Sequence, residues 1–170
     1  MATGDSLSGD QVKIYIGDSD DVGSDFNGTN DPTGAKQYTA EVTAFDSSGG
    51  ELDIESIAVF GGGFIDREKP QEQIEVTMDV IIRHGTNVDR WDALKAAAGK
   101  RVIVIQATDG TNFYWKAWNN VRVVNFDQEF AAEEEWRGTM TFKLSAATAT
   151  GVTNVKYGKT DFLTGLTTWA

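Results

Sequence analysis

QEQIEVTMDVIIR, residues 71–83, alternates apolar with polar side chains along nearly its whole length. Ile74, Val76, Met78, Val80 and Ile82 fall on one face of an extended chain, and Gln73, Glu75, Thr77, Asp79 and Ile81 on the other. A period of two sustained this long belongs to an antiparallel strand with one face in a core and one in water. EEWRGTMTFKL, residues 134–144, repeats the pattern, with Trp136, Met140, Phe142 and Leu144 opposed by Glu135, Arg137, Thr139, Thr141 and Lys143. These two stretches set the fold class as mainly β.

The neighbouring segments extend it. Residues 101–107 (RVIVIQA) are apolar on both faces and predict a buried strand. Aromatic and β-branched residues fill 112–118 and 120–130, after a tight turn at Asp109-Gly110. Val12, Ile14 and Ile16 mark a short first strand. QYTAEVTAF (37–45) and ELDIESIAVF (51–60) flank Asp46-Ser47-Ser48-Gly49-Gly50, a hairpin signal because glycine reaches the positive φ such turns need. One short helix is expected over 88–98, capped by Asn87 or Asp89, with Trp91, Leu94 and Ala98 on one side and Gly99 ending it. The expected architecture is one domain over 1–170, an antiparallel β-sandwich or half-barrel with a core over about 11–145 and that helix on its flank. A long loop is expected at 61–70, an acidic arm or loop at 17–36, and an extended C-terminal arm at 146–170.

Composition narrows the function. The net charge is −11, and residues 1–35 hold seven aspartates against Lys13, a local net of −6. Affinity for nucleic-acid phosphates comes from clustered Lys and Arg, so this surface opposes tight DNA binding, and anionic membranes likewise. With no cysteine there is neither a disulfide framework nor a thiolate metal site. The N-terminus lacks a basic region followed by an apolar run, and no stretch is long enough to span a bilayer, so the chain reads as soluble and made in the cytoplasm.

Catalytic signatures are scarce. His84 is the only histidine, no serine sits in a nucleophile elbow, and Gly61-Gly62-Gly63 lacks the lysine and helix of a phosphate-binding loop. The carboxylates Glu133, Glu134, Glu135, Glu75 and Asp79 lie on polar faces, not in the apolar pocket that raises a catalytic acid's pKa. Asp18, Asp20, Asp21 and Asp25 form a weak metal candidate, which fails the EF-hand template at Val22 and Thr29. Asn27-Gly28-Thr29 is a glycosylation sequon of a kind that arises by chance. Tyr114, Trp115 and Trp118 raise a carbohydrate-stacking surface as an alternative, although aromatics on strands more often form core. Neither a cofactor nor an enzymatic activity is expected. Tyr157, Phe162, Leu166 and Trp169 are spaced along an otherwise polar tail and are read as anchors for a neighbouring subunit.

The order over 71–145 is a long alternating strand, a helix, a VIVIQATDG strand and turn, an aromatic strand, and an alternating strand ending Phe142-Lys143-Leu144-Ser145. In this it resembles the tail tube (major tail) proteins of tailed prokaryotic viruses and the related tube proteins of type VI secretion. The resemblance implies a structural virion protein forming stacked hexameric rings, a tube through which DNA is ejected without being held. It also implies tape-measure, tail-terminator or tail-tip proteins as partners, a place in the virion tail, and no membrane. On that expectation Glu41, Asp53, Glu75 and Asp79 line the lumen, and Phe64 and Ile65 in the 61–70 loop contact the next ring. Counted over the polar faces, seven acids oppose three bases, an expected −4 per subunit. The alternatives are a type VI-like secretion tube and a carbohydrate-binding β-sandwich on a virion or cell surface.

Overall fold

The computed structural model describes residues 12–26, 36–39, 41–48, 54–59, 63–68, 74–82, 90–97, 99–130, 135–145 and 154–170, with only the backbone at 54–59 and 63–68. In chain order its elements are β1 (Val12–Asp18), a 3₁₀ turn (Gly23–Phe26), β2 (Val42–Ser48), β3 (Ile54–Val59), β4 (Gly63–Glu68), β5 (Glu75–Ile81), α1 (Arg90–Ala96), β6 (Arg101–Thr108), β7 (Phe113–Glu129), β8 (Arg137–Leu144), β9 (Val155–Gly158) and α2 (Phe162–Gly165). The main sheet is antiparallel in the order β1-β6-β7-β8-β5-β2, with β9 also on β7, while β3 and β4 form a separate hairpin.

The alternation of β5 and β8 works as expected. Val76, Met78, Val80, Met140 and Phe142 are buried in one core together with Ile14, Ile16, Ile103, Trp118 and Val121. Trp91 and Leu94 of α1 belong to the same cluster, so the helix closes one side of a half-barrel.

β7 serves both halves of the sheet. Its first half pairs with β6 and its second with β8, and the change falls at Asn119-Asn120. Asn120 has φ of 58°, a left-handed conformation that Asn tolerates better than most residues. Both side chains are buried, and both are satisfied. Asn120 Nδ2 donates to Asn154 Oδ1 at 3.0 Å, and Ser19 Oγ donates to Asn120 Oδ1 at 3.0 Å. Asn119 Nδ2 donates to Asp20 Oδ1 at 2.7 Å. The bend therefore ties the β1 turn to the start of β9. Asn120→Ala is expected to lower stability by about 2 kcal/mol, through backbone strain and unpaired buried groups. Asn120→Gly should recover the backbone share alone, which urea denaturation of both variants would resolve.

Three expectations need correction. The segment expected as an extended C-terminal arm folds onto its own chain from Asn154 onward. β1, β6 and the first half of β7 are apolar on both faces, so the half-barrel covers only one of them. Tyr15, Val102, Val104, Trp115 and Ala117 point the other way, and Phe26, Phe162, Leu166 and Trp169 bury them. The Phe162 ring lies 4.8 Å from that of Tyr15 and 5.5 Å from that of Phe26. Its backbone N–H donates to the buried Gln106 Oε1 at 2.8 Å, and Trp169 Nε1 donates to the Asp21 carbonyl at 2.7 Å. Tyr157 alone of the four expected anchors stays exposed.

The expected hairpin between 37–45 and 51–60 does not form. β2 runs through Asp46 to Ser48 and pairs with β5, while β3 pairs with β4. Alternation specifies which face a residue takes but not which strand lies beside it. The expected 61–70 loop accordingly contains β4, with Phe64 opposite Ala58 and Ile65 opposite Ile57.

The acidic stretch is folded as far as Phe26, and residues 27–35, including Asn27, lie outside the described residues, as does His84. Gly23 is needed where it stands, because a Cβ there would overlap the Phe162 carbonyl.

Candidate functional surface

The outer face of β7–β8–β5–β2 is polar, and no described element covers it. Register sets its rows: Glu129, Arg137 and Ile81; then Asp127, Thr139 and Asp79; then Asn125, Thr141 and Thr77; then Arg122, Lys143 and Glu75. β2 adds Asp46 beside Thr77 and Ser48 beside Glu75. Thr139 Oγ1 donates to Asp79 Oδ1 at 2.7 Å, Asn125 Nδ2 donates to Asp127 Oδ2 at 2.6 Å, and Lys143 pairs with Glu75 at 3.2 Å. A shallow depression of about 330 Å³ lies among Thr43, Asp79, Asp127, Glu129, Arg137 and Thr139. Five acids (Asp46, Glu75, Asp79, Asp127, Glu129) face three bases (Arg122, Arg137, Lys143), a net of −2 over the described face. This count and the −4 expected from sequence cover different residues, because Glu51 and Asp53 and the side chain of Glu55 lie outside what is described.

The expected place of Glu41 on this face is corrected. The strand begins one residue later, at Val42, so the period of two does not reach Glu41. Its carboxylate turns to α1, accepting from Arg90 Nη1 at 3.1 Å and from Trp91 Nε1 at 2.8 Å. The Glu41 side chain is only 12% exposed. Glu75 and Asp79 lie on the polar face, and Asp53 lies outside the described residues. Sequence reading missed Arg122, Asp127 and Glu129, which the second half of β7 brings to the same face.

The aspartate cluster does not converge on a cation site. Asp18 pairs with Arg101 and Asp20 accepts from Asn119, while Asp21 holds Lys36 at 2.8 Å and Asp25 accepts from the Val22 N–H at 2.9 Å. Among the described residues no three such groups come together as metal ligands. The stacking surface is also corrected, since Trp115 and Trp118 are core residues and only Tyr114 of the three is exposed. Where titration is shifted, the cause is structural. Burial raises the phenols of Tyr15 and Tyr38, and hydrogen bonds from Asn112 bring Asp109 down to about 2 in the β6–β7 turn.

No protein-family model matches this sequence, and none of the curated proteins matches it. Solved structures do share its fold. A chain from the structure of an extracellular contractile injection system, the PVC sheath/tube terminator in its extended state, superposes with a TM-score of 0.59 at 12% identity, over 92% of this chain and 99% of that one. A chain of the anti-feeding prophage tube-terminating cap gives 0.58 at 13% identity, over 94% and 95%. A chain from the virion of a native gene transfer agent gives 0.50 at 8% identity, over 90% and 99%. At these identities the likeness is one of fold, and it spans nearly the whole of both chains. The half-barrel with its flanking helix is thus a fold shared with chains of contractile injection systems and of a gene transfer agent virion.

Proposed function

We propose that this chain is a structural tube subunit of a phage-like tail, forming stacked hexameric rings with the polar face of β7–β8–β5–β2 turned to the lumen. The observation that carries the reading is that face: it is broad, internally hydrogen-bonded, covered by no described element, and bounded by the open edge of β2. Joining such edges from copy to copy closes a barrel and removes the exposed strand edges that favour aggregation. Stacking the rings head to tail is an open heterologous contact, which extends without limit.

On this reading Glu75 and Asp79 line the channel beside Thr77, Thr139 and Thr141. A mildly acidic wall whose bases are mostly paired offers duplex phosphates no counterion release, so DNA slides without sticking. Phe64 and Ile65, in the β3–β4 hairpin, contact the next ring, and the exposed Tyr157 is free for a subunit contact. Tape-measure and terminator or tip proteins would cap the two ends, and no catalytic step is assigned. A second reading, a tube that delivers another cargo, is favoured by the likeness to contractile injection systems. Negative-stain imaging of the concentrated protein tests the shared claim. Long, uniform hollow tubes are expected, and a monodisperse monomer at every concentration would contradict it.

A further inference from the structure

The turn between β6 and β7 joins a chemical liability to the bonds that contain it. It runs through Asp109-Gly110-Thr111-Asn112, between the register partners Thr108 and Phe113. Gly110 has φ of 92°, a conformation that glycine adopts without steric cost. The turn thus calls for glycine directly after an aspartate. That order is labile, because a glycine has no Cβ to shield its nitrogen from the preceding carboxyl.

The reaction is ring closure in the neutral acid. The Gly110 nitrogen bonds to Asp109 Cγ, the amide proton and the carboxyl hydroxyl leave as water, and a succinimide forms. Water then reopens the ring at either carbonyl. One opening restores aspartate, and the other sends the main chain through the side-chain carboxyl, as isoaspartate.

The structure opposes closure at each atom involved. Asp109 Oδ1 accepts from the Thr111 N–H at 2.8 Å and the Asn112 N–H at 2.6 Å, and Oδ2 accepts from Asn112 Nδ2 at 2.8 Å. Whichever oxygen leaves, hydrogen bonds already made are lost. The Gly110 N–H donates to Thr108 Oγ1 at 3.0 Å, so the attacking nitrogen is held by another partner. The bonds from Asn112 and Thr111 also hold the carboxyl at about 2, against an ordinary 3.8. At neutral pH the neutral acid that cyclises is then more than about tenfold scarcer.

We infer that Thr108 and Asn112 protect this turn from conversion to isoaspartate. The stake is the whole fold, since β6 and β7 carry Ile103 and Trp118 into one core and Val104 and Ala117 into the other. An extra main-chain methylene at residue 109 would disturb the pairing of Thr108 with Phe113, where the two strands begin to match.

The wild-type protein, Asn112→Ala and Thr108→Val are to be kept warm at neutral pH for several weeks. Isoaspartate is then measured by mass spectrometry in the tryptic peptide 102–116, and the same peptide incubated free gives the unprotected rate. The native protein is expected to convert at least about tenfold more slowly than the free peptide. Both variants should convert several-fold faster than wild type while circular dichroism shows them folded. Thr108→Ser, which keeps the hydroxyl acceptor, should stay at the wild-type rate and separates the hydrogen bond from a general loosening of the turn. Native protein converting at the peptide's rate, folded variants no faster than wild type, or Thr108→Ser as fast as Thr108→Val would overturn the inference.

Discussion

Phe162→Ala is expected to lower the unfolding free energy by about 3–5 kcal/mol, the range for emptying a buried aromatic site. The ring is fully buried against Tyr15 and Phe26 and covers the second apolar face of β1, β6 and β7. Its loss also loosens α2, whose first N–H donates to Gln106. Removing residues 154–170 altogether should cost more than the fold can bear, because Leu166 and Trp169 go with it and the partners of Asn119 and Asn120 are lost. Urea denaturation followed by tryptophan fluorescence measures both. A truncated chain that stays folded and merely fails to polymerise would restore the view of this segment as an arm for a neighbour.

Glu41→Lys is expected to be nearly as damaging, by about 3–5 kcal/mol, because it replaces the carboxylate of a largely buried pair with a second cation. Arg90 bonds Glu41 at 3.1 Å, donates to the Gln37 carbonyl at 2.9 Å, and lies 3.5 Å over the Tyr38 ring. The substitution leaves Trp91 Nε1 without its acceptor and sets two positive charges side by side. Glu41→Gln, which keeps an acceptor, should be milder. Chemical denaturation of the two variants separates them. A Glu41→Lys protein of unchanged stability would return Glu41 to the solvated face on which its sequence context first placed it.

The outcome at Glu41 shows where sequence reading was sound and where it ran out. Residues 71–83 and 134–144 disclosed the fold class because strand alternation is local, and the faces assigned to Val76, Asp79, Thr139 and Phe142 are those the structure shows. Trp91 and Leu94 disclosed the helix in the same way. Pairing is not local. The Gly49-Gly50 turn signal drew β2 toward β3, although its partner is β5. Asn119-Asn120 looked like a break between two strands, yet it is a bend within one, so the contribution of β7 to the polar face went unseen. The clue to the C-terminal segment lay in RVIVIQA, since a strand apolar on both faces needs two covers. Phe162, Leu166 and Trp169 are too widely spaced to show a period of their own, because they were matched to a distant surface.

The most direct test is a cryo-electron microscopy reconstruction of the assembled protein, read for which face of β5 and β8 bounds the central channel. Glu75, Thr77, Asp79, Thr139 and Thr141 are expected to line a continuous barrel around an open lumen, with α1 and the C-terminal segment outside it. A tube carrying those five residues on its outer wall, or an assembly with no channel, would contradict the account.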